Sequence, residues 1–243
     1  MISKHLNNPF LADGISNANY NQISSTHIER LTVNIPDTAN MIYGVPVPTI
    51  FDTMITSTQT CYNAWKASTD LNATQKSLKE GKTISVDGSM KDMKSFISTK
   101  EGVIADKFHP GTAVYEEFFP LGLSEYSSIR KKNADKILKR FITTLEAHKD
   151  SFDASMLTEA NDKYNLYLSL RKTQLQTISK VKEEKITSDD SRYALAMQLY
   201  RNLLTLLLIY AEEPEKAAVY FDESILKKKS GNNKPAETAA LQA

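Results

Sequence analysis

The sequence predicts a mainly α-helical fold, a bundle of about five helices with a minor β element and extended N- and C-terminal arms. Two observations carry that prediction. From Ser191 to Ala211 the chain is more continuously apolar than anywhere else, and Ala196, Leu199, Tyr200, Leu203, Leu207 and Tyr210 recur at the spacing of one helix face. Leu204, Leu206 and Leu208 widen that face, so the segment is expected to lie enclosed by other helices. The same three-and-four spacing returns at Phe51, Met54, Ile55, Thr58, Cys61, Tyr62 and Trp65, and again from Tyr126 through Ile129, Ile137, Leu138, Phe141, Ile142 and Leu145.

In chain order, residues 1–26 are rich in asparagine and broken by Pro9 and Gly14, which predicts an extended arm. Its apolar residues Phe10, Leu11, Ile15 and Tyr20 are candidate anchors on the body of the same molecule or on a neighbour. From His27 to Ile35, Leu31, Val33 and Ile35 alternate with polar residues, the period of a half-buried strand, with Ala218 to Ile225 as a candidate partner. Gly44, Pro46 and Pro48 mark a turn before a helix from Thr49 to about Ser68. Leu71 to Lys107 reads as a bent or interrupted helix, because Gly81, Gly88 and Gly102 each cost about 1 kcal/mol relative to alanine.

Thr112 is placed to cap a short helix ending at Phe118, and the following Phe-Phe-Pro-Leu-Gly-Leu corner is expected to be packed. A helix is then expected from Ser124 to about Lys149, with Lys131, Lys132, Lys136 and Lys139 opposite its apolar side. Another should run from about Ala154 to Glu184, separated from the central helix by a cap at Thr187-Ser188-Asp189-Asp190. Residues 27–226 read as a single domain, and 227–243 as a polar, disordered tail.

Composition narrows the chemistry. The 243 residues are 41% hydrophobic and 24% charged, ordinary soluble values, and the net charge of +1 gives no global field to draw in nucleic acid, which is not an expected partner. One cysteine, Cys61, excludes an internal disulfide framework. Arg192, Gln198, Arg201 and Asn202 interrupt the central apolar run, so no membrane span is expected. No signal-peptide pattern opens the sequence, which points to a cytoplasmic product or one assembled in the cytoplasm.

The catalytic motifs fail on inspection. Gly81-Lys82-Thr83 ends like a phosphate loop, but Lys76 stands where its first glycine should be and no strand precedes it. His5, His27, His109 and His148 form no HxxxH pair, and the acid pairs Glu116-Glu117, Asp189-Asp190 and Glu212-Glu213 do not share a helix face. No metal and no cofactor are expected.

The segment HPGTAVYEEFFPLGLSEYSSIRKKN, from His109 to Asn133, resembles a motif of uncharacterised all-helical proteins of Bacteroidota. It covers about a tenth of the chain. The resemblance implies a helical bundle and transfers no functional residue.

The expectation for function is a non-enzymatic structural or interaction subunit of a virion or another large multi-subunit assembly. Its partners are protein subunits, self or heterologous. The candidate partner-binding residues are Phe10, Leu11, Ile15, Tyr20, Lys131, Lys132, Lys136 and Lys139. The alternative is a small-molecule or lipid-binding bundle with a pocket lined by Met90, Met93, Phe96, Tyr164 and Tyr167. A third reading is a hydrolase built on His109, Asp106 and Ser124.

Overall fold

The computed structural model is a mainly α-helical bundle with a small two-stranded β element, described over residues 8–12, 15–36, 40–222 and 224. The helices are α1 (Asn17–Val33), α2 (Val47–Lys107), α3 (Ala113–Phe118), α4 (Leu123–Ser127), α5 (Ala134–Ala147), α6 (Ala154–Ile209) and α7 (Glu215–Ala218). Strands β1 (Met41–Ile42) and β2 (Val45–Pro46) pair antiparallel. Tyr43 and Gly44 between them both have positive φ, the requirement of the hairpin turn whose twist matches its strands.

Residue contacts divide the chain into two compact units rather than the single domain expected: Met1–Asp70 with Lys185–Ala243, and Leu71–Glu184. The expected boundary at residue 26 falls inside α1. The expected tail, 227–243, lies outside the described residues.

In the first unit, α1 replaces both the second half of the extended arm and the strand from His27 to Ile35. Ser16 starts this helix, its side chain accepting from Asn19 N at 3.1 Å. Its buried residues Tyr20, Ile23, Ser24, His27 and Leu31 follow helical spacing, whereas Leu31 is buried and Val33 exposed. The alternation was therefore accidental, since its apolar residues share no face. Among the described residues of the expected partner, Ala218 to Ile225, there is no strand: residues 215–218 form α7 and 219–221 turn.

That C-terminal segment nonetheless docks on α1, through its carbonyl groups. Arg30 Nη1 donates to Val219 O at 3.0 Å and to Phe221 O at 2.7 Å, and His27 Nδ1 lies 2.9 Å from Tyr220 O. Phe10, Phe51, Met54, Trp65, Leu195, Leu199, Leu206, Tyr220 and Phe221 belong to the core of this unit.

Helix α2 runs without the interruption expected at its glycines. Its inward-facing seam, buried except at the half-buried Cys61, Gln75, Lys79 and Lys82, explains why. In the first unit Phe51, Met54, Thr58, Cys61, Trp65 and Ser68 keep a strict three-and-four repeat, and in the second Gln75, Lys79, Lys82, Val86, Ser89, Met93 and Phe96 continue it. Gly81, Gly88 and Gly102 all lie off that seam, on exposed positions. Burying Val86, Met93, Ile97 and Ile104 contributes about 1.5–3 kcal/mol each, which outweighs three glycines at about 1 kcal/mol each.

A prediction follows from the open space beside these glycines, where an added Cβ would meet nothing within 4 Å. Gly81→Ala, Gly88→Ala and Gly102→Ala together should stabilise the chain by about 2–3 kcal/mol. Thermal unfolding followed by circular dichroism checks this; an unchanged or lower midpoint would refute it.

Helix α6 likewise replaces two expected helices. Residues 154–209 contain neither glycine nor proline, and Thr187 to Asp190 lie in the helix interior, not at a cap. Asp153 makes the cap instead, accepting from Ser155 N at 2.7 Å.

In the second unit, Thr112 caps α3 as expected, accepting from Tyr115 N at 3.4 Å. The single helix expected from Ser124 to Lys149 is broken into α4 and α5. Two interactions stabilise the break. Lys94 Nζ donates to Ser127 O and Ile129 O, each at 2.9 Å, satisfying carbonyls a continuing helix would have used, and Asn133 Oδ1 accepts from Arg130 N at 2.9 Å. The apolar side from Tyr126 to Leu145 packs inward all the same, with Phe96, Phe118, Phe119, Phe141, Met156 and Tyr167.

Candidate functional site

The arm anchors are used within the chain. Phe10, Ile15 and Tyr20 are buried in the first unit, and only Leu11 of the four stands out. The Tyr20 hydroxyl donates to Phe10 O, and Arg192 donates to Ile15 O while its guanidinium stacks 4.3 Å above the Tyr20 ring. Asn8 donates to Ala196 O at 3.3 Å, pinning the arm to α6.

The basic residues expected on one helix face divide, Lys131 and Lys132 preceding α5 and Lys136 and Lys139 lying in it. Lys131 pairs with Asp87 at 2.6 Å, whereas Lys132, Lys136 and Lys139 are exposed. The residues of the alternative pocket, Met93, Phe96, Tyr164 and Tyr167, are packed into the core of the second unit with Met90 against them. Tyr164 donates to Asp135 Oδ1 at 2.6 Å, and burial together with that carboxylate pushes its phenol pKa up. The hydrolase reading finds no support: Ser124 donates its hydroxyl to Leu121 O at 2.9 Å, and no hydrogen bond among the described residues joins it to His109 or Asp106.

Sequence reasoning missed three arrangements. In the second unit, His148 Nε2 lies 2.9 Å from Glu117 Oε2, beside a surface cleft of ≈ 440 Å³ lined by Glu116, Glu117, Arg140, Thr143 and Thr144. Arg140 there forms two hydrogen bonds with the Glu125 carboxylate, at 3.1 and 2.5 Å, which favours its charged form. A hydroxyl of Tyr115 donates to Glu101 Oε1 at 2.7 Å, and that carboxylate pushes its pKa up to about 12.

In the first unit lies a buried polar network. Asn202, fully enclosed among the leucines of α6, donates to His27 Nε2 at 3.0 Å and to Thr58 Oγ1 at 2.6 Å. Gln198 donates to Asn202 Oδ1 at 2.9 Å, and Thr58 donates to Met54 O at 2.7 Å. Burial holds His27 down at about 4, well below the usual imidazole value. Its place on the buried face of α1, between Ile23 and Leu31, is the one signal the sequence carried.

The third arrangement is a surface. The central segment is not enclosed as expected: Leu195, Leu199 and Leu206 are buried, but Leu204, Leu207 and Leu208 are 42%, 38% and 47% exposed. Leu204 and Leu207 continue a stripe in which Tyr193, Tyr200 and Leu207 recur every seven residues, with Met197 and Leu204 between them; one heptad earlier Ile186 is followed by the charged Asp190 at the intervening position. Ile186 and Tyr193 are more than half exposed, Met197 and Tyr200 partly so. This is the apolar spacing of a coiled-coil seam, on a side of the helix that its own unit covers only in part, Tyr200 packing against the core and Tyr193, Leu204 and Leu207 standing exposed.

Among the described residues no helix is long and apolar enough to cross a membrane, and no three or more His, Cys, Asp or Glu side chains are grouped to hold a metal ion. Compared with protein families, curated proteins and solved structures, the chain matches none.

Proposed function

We propose that the chain is a non-enzymatic structural or interaction subunit of a large protein assembly, such as a virion put together in the cytoplasm. It pairs with a helix of another subunit along the outer stripe of α6. The observation that supports this reading is the heptad-spaced apolar face of Tyr193, Met197, Tyr200, Leu204 and Leu207, which continues for several turns with its edge residues exposed. A contiguous apolar face of this kind marks a docking surface more often than scattered exposed leucines do. A partner helix with matching a and d residues would cover it by knobs-into-holes packing. The exposed Lys132, Lys136 and Lys139 offer a separate charged contact for an acidic neighbour.

Light scattering coupled to chromatography tests the self-pairing form of this reading. The full chain is expected to run at the mass of two or more copies, and Leu204→Glu with Leu207→Glu at the mass of one. A wild-type chain that remains monomeric at every concentration, indistinguishable from the double variant, would remove self-pairing along α6.

A further inference from the structure

At one end of the first unit the fold gathers apolar side chains that the unit itself leaves exposed. Val33 and Ile35 stand out where α1 ends, Met41, Tyr43 and Val45 along the β1–β2 hairpin, and Val219 just after α7. Tyr220 ties these segments together. Its hydroxyl donates to Asn34 O at 2.8 Å, its ring packs 5.5 Å from Phe51 one turn into α2, and the carbonyl of Val219 beside it accepts from Arg30. The hairpin is fastened at the same place, since Val47 N at the start of α2 donates to Asn40 O at 3.0 Å and Ile42 packs on the core of the unit.

The hairpin tip is where local preference is most plainly overridden. Tyr43 has a φ of 49°, in the left-handed region that asparagine or glycine enters readily and a large side chain does not. Its ring is 89% exposed, so burial within the unit does not offset that strain. A strained aromatic residue held at an exposed tip points to a contact outside the chain.

Charge selects among the occupants. The segments that form this end, 31–36, 40–51 and 217–221, contain no charged residue. No lysine or arginine lies between Arg30 and Lys66, and Arg30 is engaged with the carbonyls of Val219 and Phe221, so no cationic rim is present to hold an anionic bilayer. Depletion of charge together with exposed tyrosine and methionine is the composition of a protein interface core. A second copy of the chain fits such a surface. A two-fold contact sets each group against its own kind, which a charged face resists and an uncharged apolar face permits. The exposed Lys132, Lys136 and Lys139 would repel their own copies in that arrangement.

We propose that this end of the first unit is a two-fold self-contact, in which the Tyr43 hairpins of two copies pack on one another. The contact rests on the chain being an assembly subunit, as proposed above, and adds to the α6 stripe. Two distinct self-contacts on one subunit link copies alternately, into a ring or an open chain instead of a closed pair. Six exposed side chains fall short of the roughly 800 Å² per partner of a standard interface, so the contact alone is weak and acts above the concentrations of a chromatography column.

Sedimentation equilibrium on the full chain carrying Leu204→Glu and Leu207→Glu, which silence the stripe, is the test. Its average mass should rise toward two copies at concentrations well beyond those of the column, and adding Tyr43→Gly should weaken that association by at least about tenfold. Glycine relieves the turn, so the thermal midpoint should hold or rise, which separates a lost contact from a lost fold. In the same stripe-silenced chain, Met41→Lys and Met41→Glu should each keep the variant single, and the two should pair when mixed. On the column, where the stripe alone acts, wild-type and Tyr43→Gly chains should match, so the stripe and the hairpin fail separately. The proposal is overturned if the stripe-silenced chain stays single at every concentration, if Tyr43→Gly associates as strongly as its parent, or if the two Met41 variants do not pair. Sedimentation of the chain with vesicles of phosphatidylcholine and phosphatidylserine, lost in Tyr43→Gly, would also overturn it, by making a bilayer the occupant.

Discussion

Phe141→Ala is expected to lower the stability of the second unit by about 3–5 kcal/mol, toward the upper end of that range. The side chain is wholly buried, so truncation removes its transfer free energy and leaves a cavity. Its ring also meets Phe118 at 5.7 Å, Tyr126 at 5.8 Å, Phe119 at 6.4 Å and Phe96 at 6.5 Å. Aromatic pairs of this kind add about 0.5–1.5 kcal/mol beyond burial, and four are lost at once. Neighbouring rings close such a cavity poorly, because Tyr126 is tied to Phe118 O at 2.5 Å and Arg140 to Glu125. Hydrogen exchange of peptides from α3 and α5 should report the loss, and peptides from α1 should not. Leu121→Ala, at the exposed tip of the neighbouring corner, should change stability by less than about 0.5 kcal/mol. Comparable losses at Phe141 and Leu121 would mean that the aromatic core does not hold this unit together.

Residues whose local pattern and tertiary environment agree were legible in the sequence. The inner face of α5, Ile137, Leu138, Phe141, Ile142 and Leu145, is buried as its spacing requires, and the Phe118-Phe119 corner is packed. Where local preference and packing disagree, packing prevailed. Three glycines suggested a broken α2, but they lie off a heptad seam that local propensity does not register. In α4 and α5 the reverse held: nothing between Tyr126 and Ile137 announced a break, because the groups that stabilise it include Lys94 from another helix. Alternation from Leu31 to Ile35 imitated a strand because His27, the polar member of the buried helix face, did not count as a core residue. The His27 network was illegible for a related reason: Asn202 is 175 residues from His27 and 144 from Thr58, and only folding brings them together. The apolar stripe of α6 was visible as hydrophobicity, but hydrophobicity alone does not say which side of a helix its own unit covers.

Asn202→Leu is expected to destabilise the first unit by about 2–4 kcal/mol at pH 7.5, although it makes α6 more apolar. The leucine has nearly the same reach but no hydrogen to give, so His27 Nε2 is left as a buried acceptor without a partner, at a cost of about 1–3 kcal/mol. Thr58 still donates to Met54 O, and Gln198, being only half-buried, can turn toward water, so neither adds much. The remaining cost comes from fitting a branched side chain into a closely packed site. A second substitution separates these effects. With His27→Leu already present, the orphaned acceptor is absent, and adding Asn202→Leu should cost about 1–3 kcal/mol less than it does in the wild type. Hydrogen exchange of α1 and α6 peptides in the four chains of this cycle measures the coupling. Additive losses would show that His27 and Asn202 do not depend on one another.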